Sequence, residues 1–236
     1  MDFPATLIKA TLLKRYKRFL ADATLEDGST ITAHCPNTGS MTSCGKAGDT
    51  IYLTSNNDPK RKLKYTWQLS ETPGGGLINI NTHSANALVK EALEQGSIEP
   101  VASYKKIKAE KKKGDSRIDF YLEPEEGSKD PPCWIEVKSV TLLEGNYLLF
   151  PDAVSTRALK HIKSLEKIVA DGERAILLFL LNRPEGQAFR PAAKIHPEYA
   201  EALKEAKENG VEILAYRAQH SLKGSIVSSS VAVELS

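Results

Sequence analysis

The sequence predicts a small N-terminal β-barrel followed by a larger mixed α/β domain, on three observations. Residues 5 to about 80 carry short strand-like runs separated by turn residues. From Ser84 onward the apolar spacing switches between helical and strand periods, and the last third reads strand–helix–strand–helix–strand. Between them stands "ETPGGG" (71–76), which reads as a flexible joint and divides the chain into residues 1–80 and 81–236.

In the first part, "ATLIKATLL", "RFLADATL", "TITAHC", "TIYLTS" and "YTWQLSE" are separated by "EDGS", "PNTGS", "KAGD" and "NNDPK". About five short strands at this spacing predict a small barrel or sandwich, an oligonucleotide-binding (OB-fold-like) barrel being one candidate. Such barrels hold nucleic acid with aromatic platforms set among cations. Tyr16 and Phe19 stand among Lys14, Arg15, Lys17 and Arg18, and Tyr65 and Trp67 follow Lys60, Arg61, Lys62 and Lys64. Arg15, Lys17, Arg18, Arg61, Lys62 and Trp67 are therefore candidate nucleic-acid contacts, although Phe19 and Trp67 also suit a core.

In the second part, "SANALVKEALEQG" (84–96) predicts a helix with Ser84 as cap and Gly96 as stop. "RIDFYL" (117–122), "CWIEVKSV" (133–140) and "NYLLF" (146–150) read as strands. A helix over about 153–170 carries Ala158, Ile162, Leu165 and Val169 as its apolar stripe. "AILLFLL" (175–181) predicts a central strand covered on both faces. A further helix is expected at 197–210 and a strand at 211–218.

Composition sets limits. With 41% hydrophobic and 26% charged residues, the chain has an ordinary globular balance. No run approaches the ~18 apolar residues of a membrane span, and the N-terminus lacks a signal-peptide layout. No membrane partner is expected. Cys35, Cys44 and Cys133 form neither a CxxC pair nor an even framework, which suits a reducing cytoplasm. The net charge of +2 hides a basic strip, "YKKIKAEKKK" (104–113), with six lysines and one glutamate. The strip fits either a polyanion contact or a solvated lysine-rich strand.

One strand contradicts its own pattern. In "WIEVKSV" (134–140), Glu136 and Lys138 project to one side while Ile135 and Val137 project to the other. A charged pair in an apolar strand is costly without a compensating partner. Upstream, Asp119 interrupts another apolar strand, and "EPEEGSKDPPC" would let the two strands pair as an antiparallel hairpin. Asp119 and Glu136 are then expected to converge at one edge of the sheet, where two carboxylates need a cation between them. Mg²⁺ or Mn²⁺ is the expected cation, since Mg²⁺ accepts a few carboxylates and leaves positions for water and phosphate oxygens. Lys138 beside it suits a water or a charge developing on phosphorus. A satisfied salt bridge that fixes strand register is the structural alternative.

An acidic residue on one hairpin strand and E-x-K on the next resemble the PD-(D/E)xK nuclease-like superfamily, which implies an α/β/α restriction-endonuclease-like domain. The resemblance also implies a glutamate on the preceding helix; Glu91 fits, with Glu94 as second choice. Asp119, Glu136 and Glu91 are thus the candidate metal ligands, and these with Lys138 the candidate catalytic residues. The following helix should turn basic or polar groups to phosphates, and Arg157, Lys160, His161 and Ser164 share one face there. Ile118 stands where a proline is often found before the aspartate.

Across its length the chain resembles the bacterial sugar fermentation stimulation protein family. The resemblance rests on "RYKRFLAD" (15–22), "HCPNTGSM" (34–41), "SRIDF" (116–120), "IEVKSVTL" (135–142), "FPDAV" (150–154) and "GVEILAY" (210–216). It implies an OB-type barrel, a nuclease-like domain, non-specific DNA binding and a regulatory role in sugar (maltose) utilisation. Two functions stay open at this point: a metal-dependent DNA endonuclease, and a non-catalytic DNA-binding regulator of sugar metabolism genes. No helix-turn-helix is evident to support a sequence-specific reader, and a dimer is compatible with either. "HCPNTGSM" reads as a turn through Asn37–Thr38–Gly39 or as a phosphate cradle of backbone amides. His34, Cys35 and Cys44 lack a fourth ligand for zinc.

Overall fold

The computed structural model describes residues 1–235. Five strands, β1 (Ile8–Tyr16), β2 (Leu20–Leu25), β3 (Thr30–His34), β4 (Thr50–Ser55) and β5 (Tyr65–Glu71), form the barrel. Their order is β3-β2-β1-β4-β5, and a parallel β3–β5 pairing closes it into an OB-type barrel. Alternation explains the filling: Ala10, Ala21, Ala23 and Ala33 leave space that Leu12, Ile51, Leu53 and Trp67 occupy. Trp67 is fully buried and donates Nε1–H to Leu69 O at 2.9 Å, so it is core and not a nucleic-acid platform.

The expected joint at 71–76 is a hairpin loop. Thr72 N–H donates to Gly76 O, Gly75 N–H to Thr72 O, and β6 (Leu77–Asn79) returns antiparallel to β5. The chain leaves the barrel only after Ile80, which is buried in the barrel core. Asn79 N–H bonds Asn182 O across the boundary. Buried Arg183 donates to Ser43 Oγ at 3.1 Å and Thr141 O at 2.9 Å, and it is paired with Glu185. The two parts thus share fixed polar contacts.

The second part is an α/β/α layer. Its sheet runs β15 (Ser225–Ser230), β14 (Glu212–His220), β12 (Arg174–Leu181), β9 (Cys133–Val140), β8 (Ser116–Glu123), β7 (Lys106–Lys113). β12 is central and parallel to both neighbours. Its Ile176, Leu178 and Leu180 pack with α1 (Ser84–Glu94), while Leu177, Phe179 and Leu181 pack with α2 (Thr156–Ala170) and α3 (Pro197–Glu208). Ser155 caps α2 by accepting from Ala158 N–H at 3.1 Å. The lysine strip is edge strand β7, where lysines protect an open edge. A small second sheet joins β10 (Leu142–Glu144), β11 (Tyr147–Phe150), β13 (Ala188–Pro191) and β16 (Ala232–Val233). Among the described residues no helix is long and apolar enough to cross a membrane.

Candidate active site

The site begins where two strands part. β8 and β9 pair antiparallel through Leu122↔Cys133, Tyr121↔Trp134 and Phe120↔Ile135, and the ladder then stops. At Asp119 the alternation of β8 breaks: Phe120 packs beneath α1, but Ile118 joins the α2 cluster. Opposite, between Ala109 and Lys111, Glu110 has φ +57°. Asp119 fills the opening, its Oδ2 accepting Val137 N–H at 2.7 Å and its Oδ1 accepting Asn86 Nδ2–H at 2.7 Å. The two carboxylates meet within the sheet, where its inner strands separate, and not at an outer edge as expected.

Strand period does the rest. Ile135 and Val137 go to the α1 side, which sends Glu136 and Lys138 to the α2 side. There Lys138 Nζ donates to Glu136 Oε1 at 2.5 Å, and His161 Nδ1 bonds the same oxygen. Lys138 Nζ also lies 3.3 Å from His161 Nδ1. Burial pushes the Glu136 carboxyl up, but the His161 hydrogen bond and the Lys138 charge outweigh it and hold it below its usual range. Burial, then the neighbouring Glu136 charge, raises Asp119 despite its two hydrogen bonds. Glu136 Oε2 is out of solvent and has no hydrogen-bond partner among the described residues.

Asp119, Glu136 and Lys138 line an open cavity of about 510 Å³ between the two parts of the molecule. Its far wall is barrel: Arg18, Asn37, Thr38 and Gly39. The "PNTG" loop stands there because Arg15 pins it, Nη2 donating to the carbonyls of Arg18, Asn37 and Gly39 at 2.8–2.9 Å. Arg18 Nε–H reaches Thr38 O at 2.7 Å. Gly39 admits no Cβ, since the Asp152 carboxylate occupies that place. Ser40 Oγ donates to Asp152 O at 2.8 Å, so the loop is locked to the α/β part. The Gly39 amide is already taken by Asn37 Oδ1 at 2.8 Å, which gives the segment its turn and withdraws that amide from a cradle.

The candidate residues divide accordingly. Asp119, Glu136, Lys138, Arg18 and Arg157 line the cavity. Glu91 does not, because its carboxylate binds the Met1 ammonium at 2.7 Å and is about one-third exposed. Glu94 pairs with Lys90. The polar side chain that α1 brings to the site is that of Asn86, beside Ala85. Among the described residues no three His, Cys, Asp or Glu side chains are grouped to hold a metal, so the three-carboxylate set is replaced by two. Arg15 is a scaffold, its Nη1 and Nη2 groups spent on carbonyls. Lys17 and Arg18 form the exposed β1–β2 turn at φ +49° and +65°. Arg61 and Lys62 are exposed, outside the cavity walls. Lys160 is exposed and faces a different concavity, while His161 is buried on Glu136 and not turned to a phosphate on the helix face. Cys35 and Cys44 are buried in the barrel core, with burial holding the Cys44 thiol at about 11. His34 lies instead by His83 and Arg61.

Comparison with known proteins agrees with this architecture. Residues 13–80 match the family described as "SfsA N-terminal OB domain", and residues 83–224 match "Sugar fermentation stimulation protein RE domain". A sugar fermentation stimulation protein homolog from a Shewanella species is 51% identical over 221 residues, 93% of each chain. A homolog from Geotalea uraniireducens is 45% identical over all 236 residues of both chains. The solved structure of Pyrococcus furiosus SfsA in complex with Ca²⁺ is similar at TM-score 0.88 and 30% identity, covering 99% of this chain and 98% of that one.

Proposed function

The chain belongs to the sugar fermentation stimulation protein family, and from that premise we propose that it binds DNA without sequence specificity and carries a divalent-metal-dependent, nuclease-type site. One observation carries the reading: Asp119, Glu136 and Lys138 meet in an open cavity with Glu136 Oε2 buried and unpartnered. A buried acceptor without a partner is expensive, and a cation satisfies it. The donor set is hard oxygen, and Mg²⁺ is commonly held by one or two carboxylates with water and substrate phosphates completing the shell. Asp119 and Glu136 would hold Mg²⁺ or Mn²⁺. The Ca²⁺ in the Pyrococcus relative supports a divalent ion in this family.

Such an ion supplies a positive centre that polarises a phosphoryl oxygen. The chain's own groups supply the remainder. His161 fixes the Glu136 carboxylate, and Asn86 with the Val137 amide fixes that of Asp119. Lys138 Nζ is a donor for a phosphate oxygen or for the attacking water. Arg18 and Arg157 both line the cavity and would serve as phosphate contacts. The reduced, buried cysteines agree with a cytoplasmic location.

The test is cleavage of supercoiled plasmid with and without Mg²⁺ or Mn²⁺. Metal-dependent nicking by the wild type, absent in Asp119→Ala, is expected. A second reading, DNA binding without cleavage in a regulator of sugar-utilisation genes, is favoured by the missing third carboxylate and by Lys138 resting on Glu136. No cleavage, with DNA still shifted at low salt, decides for it.

A further inference from the structure

A second basic concavity adjoins the catalytic one. It measures about 350 Å³ and is lined by Lys160, Lys163, Ser164 and Lys167 of α2, facing the β7–β8 turn at Lys113–Ser116. The three α2 lysines stand at i, i+3 and i+7, one face of the helix. All three are exposed, and none makes a salt bridge among the described residues. Their surroundings show why. Glu166, the one acid within α2, accepts from Asn209. Asp171 and Glu173 are taken by Lys113 at 3.3 and 2.7 Å. Ser116 and Ser164 close the floor with hydroxyls 2.7 Å apart. Asp171 and Asp115 line the concavity too; Asp171 is held by Lys113, so Asp115 is the one lining carboxylate without a salt bridge among the described residues, and it faces three lysines that have none.

Its position is set by the same two elements that build the catalytic cavity. β8 runs from Ser116 to Asp119, three residues or about 10 Å. α2 runs from Arg157 to Lys163, six residues or about 9 Å. The concavity therefore flanks the carboxylates by about three nucleotide steps, at roughly 3.4 Å of duplex axis per step. Arg157 stands at the catalytic wall, and the lysines continue from it along the helix.

We infer that Lys160, Lys163 and Lys167 form a phosphate-binding track that receives the DNA backbone flanking the phosphodiester at Asp119 and Glu136. The inference rests on the DNA-binding reading and adds the direction in which the strand leaves the site. The track is electrostatic and reads no sequence.

The experiment is equilibrium binding of a labelled duplex across about 50–200 mM salt, for wild type, K160A/K163A/K167A and K160R/K163R/K167R, each with its melting temperature. For the alanine variant, the log affinity–log salt slope should be shallower by about 0.9 for each phosphate no longer neutralised, or about 2.7 for all three lysines. Low-salt affinity should fall at least tenfold with unchanged melting temperature, and the arginine variant should keep the wild-type slope. Wild-type binding with an unchanged slope in the alanine variant overturns the track and leaves the DNA-binding reading standing. A wild type that binds no DNA at low salt overturns both.

Discussion

Asp119 Oδ2 accepts the Val137 amide at 2.7 Å, so a carboxylate takes the place of a backbone carbonyl where β8 and β9 part. The bond gives Asp119 two separable roles, structural acceptor and negative charge. Asp119→Asn keeps an acceptor oxygen and removes the charge, whereas Asp119→Ala removes both. Asn should melt within a few degrees of wild type, and Ala should lose about 1–3 kcal/mol from an orphaned amide. Both should lose metal-dependent nicking by about 10²-fold or more, as expected when a charge that holds the ion is removed. Nicking retained by Asn would show that the Asp119 charge is not needed for catalysis.

His161 touches the site through Glu136, which it orients. Partners that fix a ligating carboxylate typically matter about 10–100-fold in metal affinity. His161→Ala should therefore weaken Mn²⁺ binding by about that factor, read by calorimetric titration of DNA-free protein. Since metal and not DNA affinity is affected, DNA binding at low salt without metal should be unchanged. A wild-type Mn²⁺ isotherm for His161→Ala would remove it from the site.

How much of this was legible follows from which physical rule each residue obeys. Glu136 and Lys138 were readable because strand period is 2 and their alternate neighbours are apolar. Asp119 was readable by the same contrast. Asn86 and Glu91 were not distinguishable. Both flank the stripe Ala85, Leu88, Val89 and Ala92, on opposite sides, and only docking of α1 on the sheet decides which flank meets β8. Trp67 carried only the signal of its bulk, which suits a core; a register shift sets Trp67 opposite core residue Leu53 but Leu69 opposite Tyr52, so strand period did not declare its face. Proximity of cations in the sequence outweighed that signal. "ETPGGG" was misread because glycine and proline serve flexible joints and tight hairpins alike; the return strand Leu77–Asn79 is three residues long and shows no clear period.

Arg15 and Arg18 should separate stability from binding. Arg15 Nη2 holds three carbonyls of the cavity wall, so Arg15→Ala leaves those acceptors unpaired and should cost about 2–3 kcal/mol. Lysine cannot reproduce the forked donor geometry and should rescue little. Arg18→Ala, on an exposed turn, should leave melting nearly unchanged while DNA affinity falls about 3–10-fold, read by anisotropy. The reverse pattern would mean that Arg15 reaches the nucleic acid itself.

Arg183 tests the coupling of the two parts. Its guanidinium is buried and bonds Ser43 of the barrel, Thr141 of the α/β part and Glu185. Arg183→Met keeps much of the volume but strands Glu185 and leaves the Thr141 carbonyl with the Ser43 hydroxyl alone, which should cost about 3–5 kcal/mol. Because the loss falls on the boundary, scanning calorimetry should resolve two transitions where the wild type shows one. A single transition in the variant would place the coupling in the Asn79–Asn182 and Ser40–Asp152 bonds instead.

Acid sensitivity should trace to a histidine outside the cavity. His220 ends β14, with Nδ1 2.8 Å from Ser225 Oγ and Nε2 shielded from solvent without a partner. Burial lowers its pKa to about 4, against 6.5 ordinarily. The unfolded chain then binds a proton more readily than the native one, so unfolding takes up protons between these values. From this group, stability is full above pH 6.5, falls as pH drops toward 4, and levels below that. At about 1.4 kcal/mol per pH unit, the loss has a ceiling of ~3 kcal/mol, reduced to the extent that water reaches the half-buried ring. His220→Gln should flatten that limb in urea titrations run from neutral pH down to about one unit above the native pKa, while leaving the neutral-pH midpoint close to wild type. A variant whose acid limb stays as steep as the wild type's would trace the loss to the carboxylates whose native pKa is depressed, Glu136, Glu173 and Glu185 among them. Their contribution is also lost as pH falls, but only as it passes below the ordinary carboxylate range, which separates the two explanations on the pH axis.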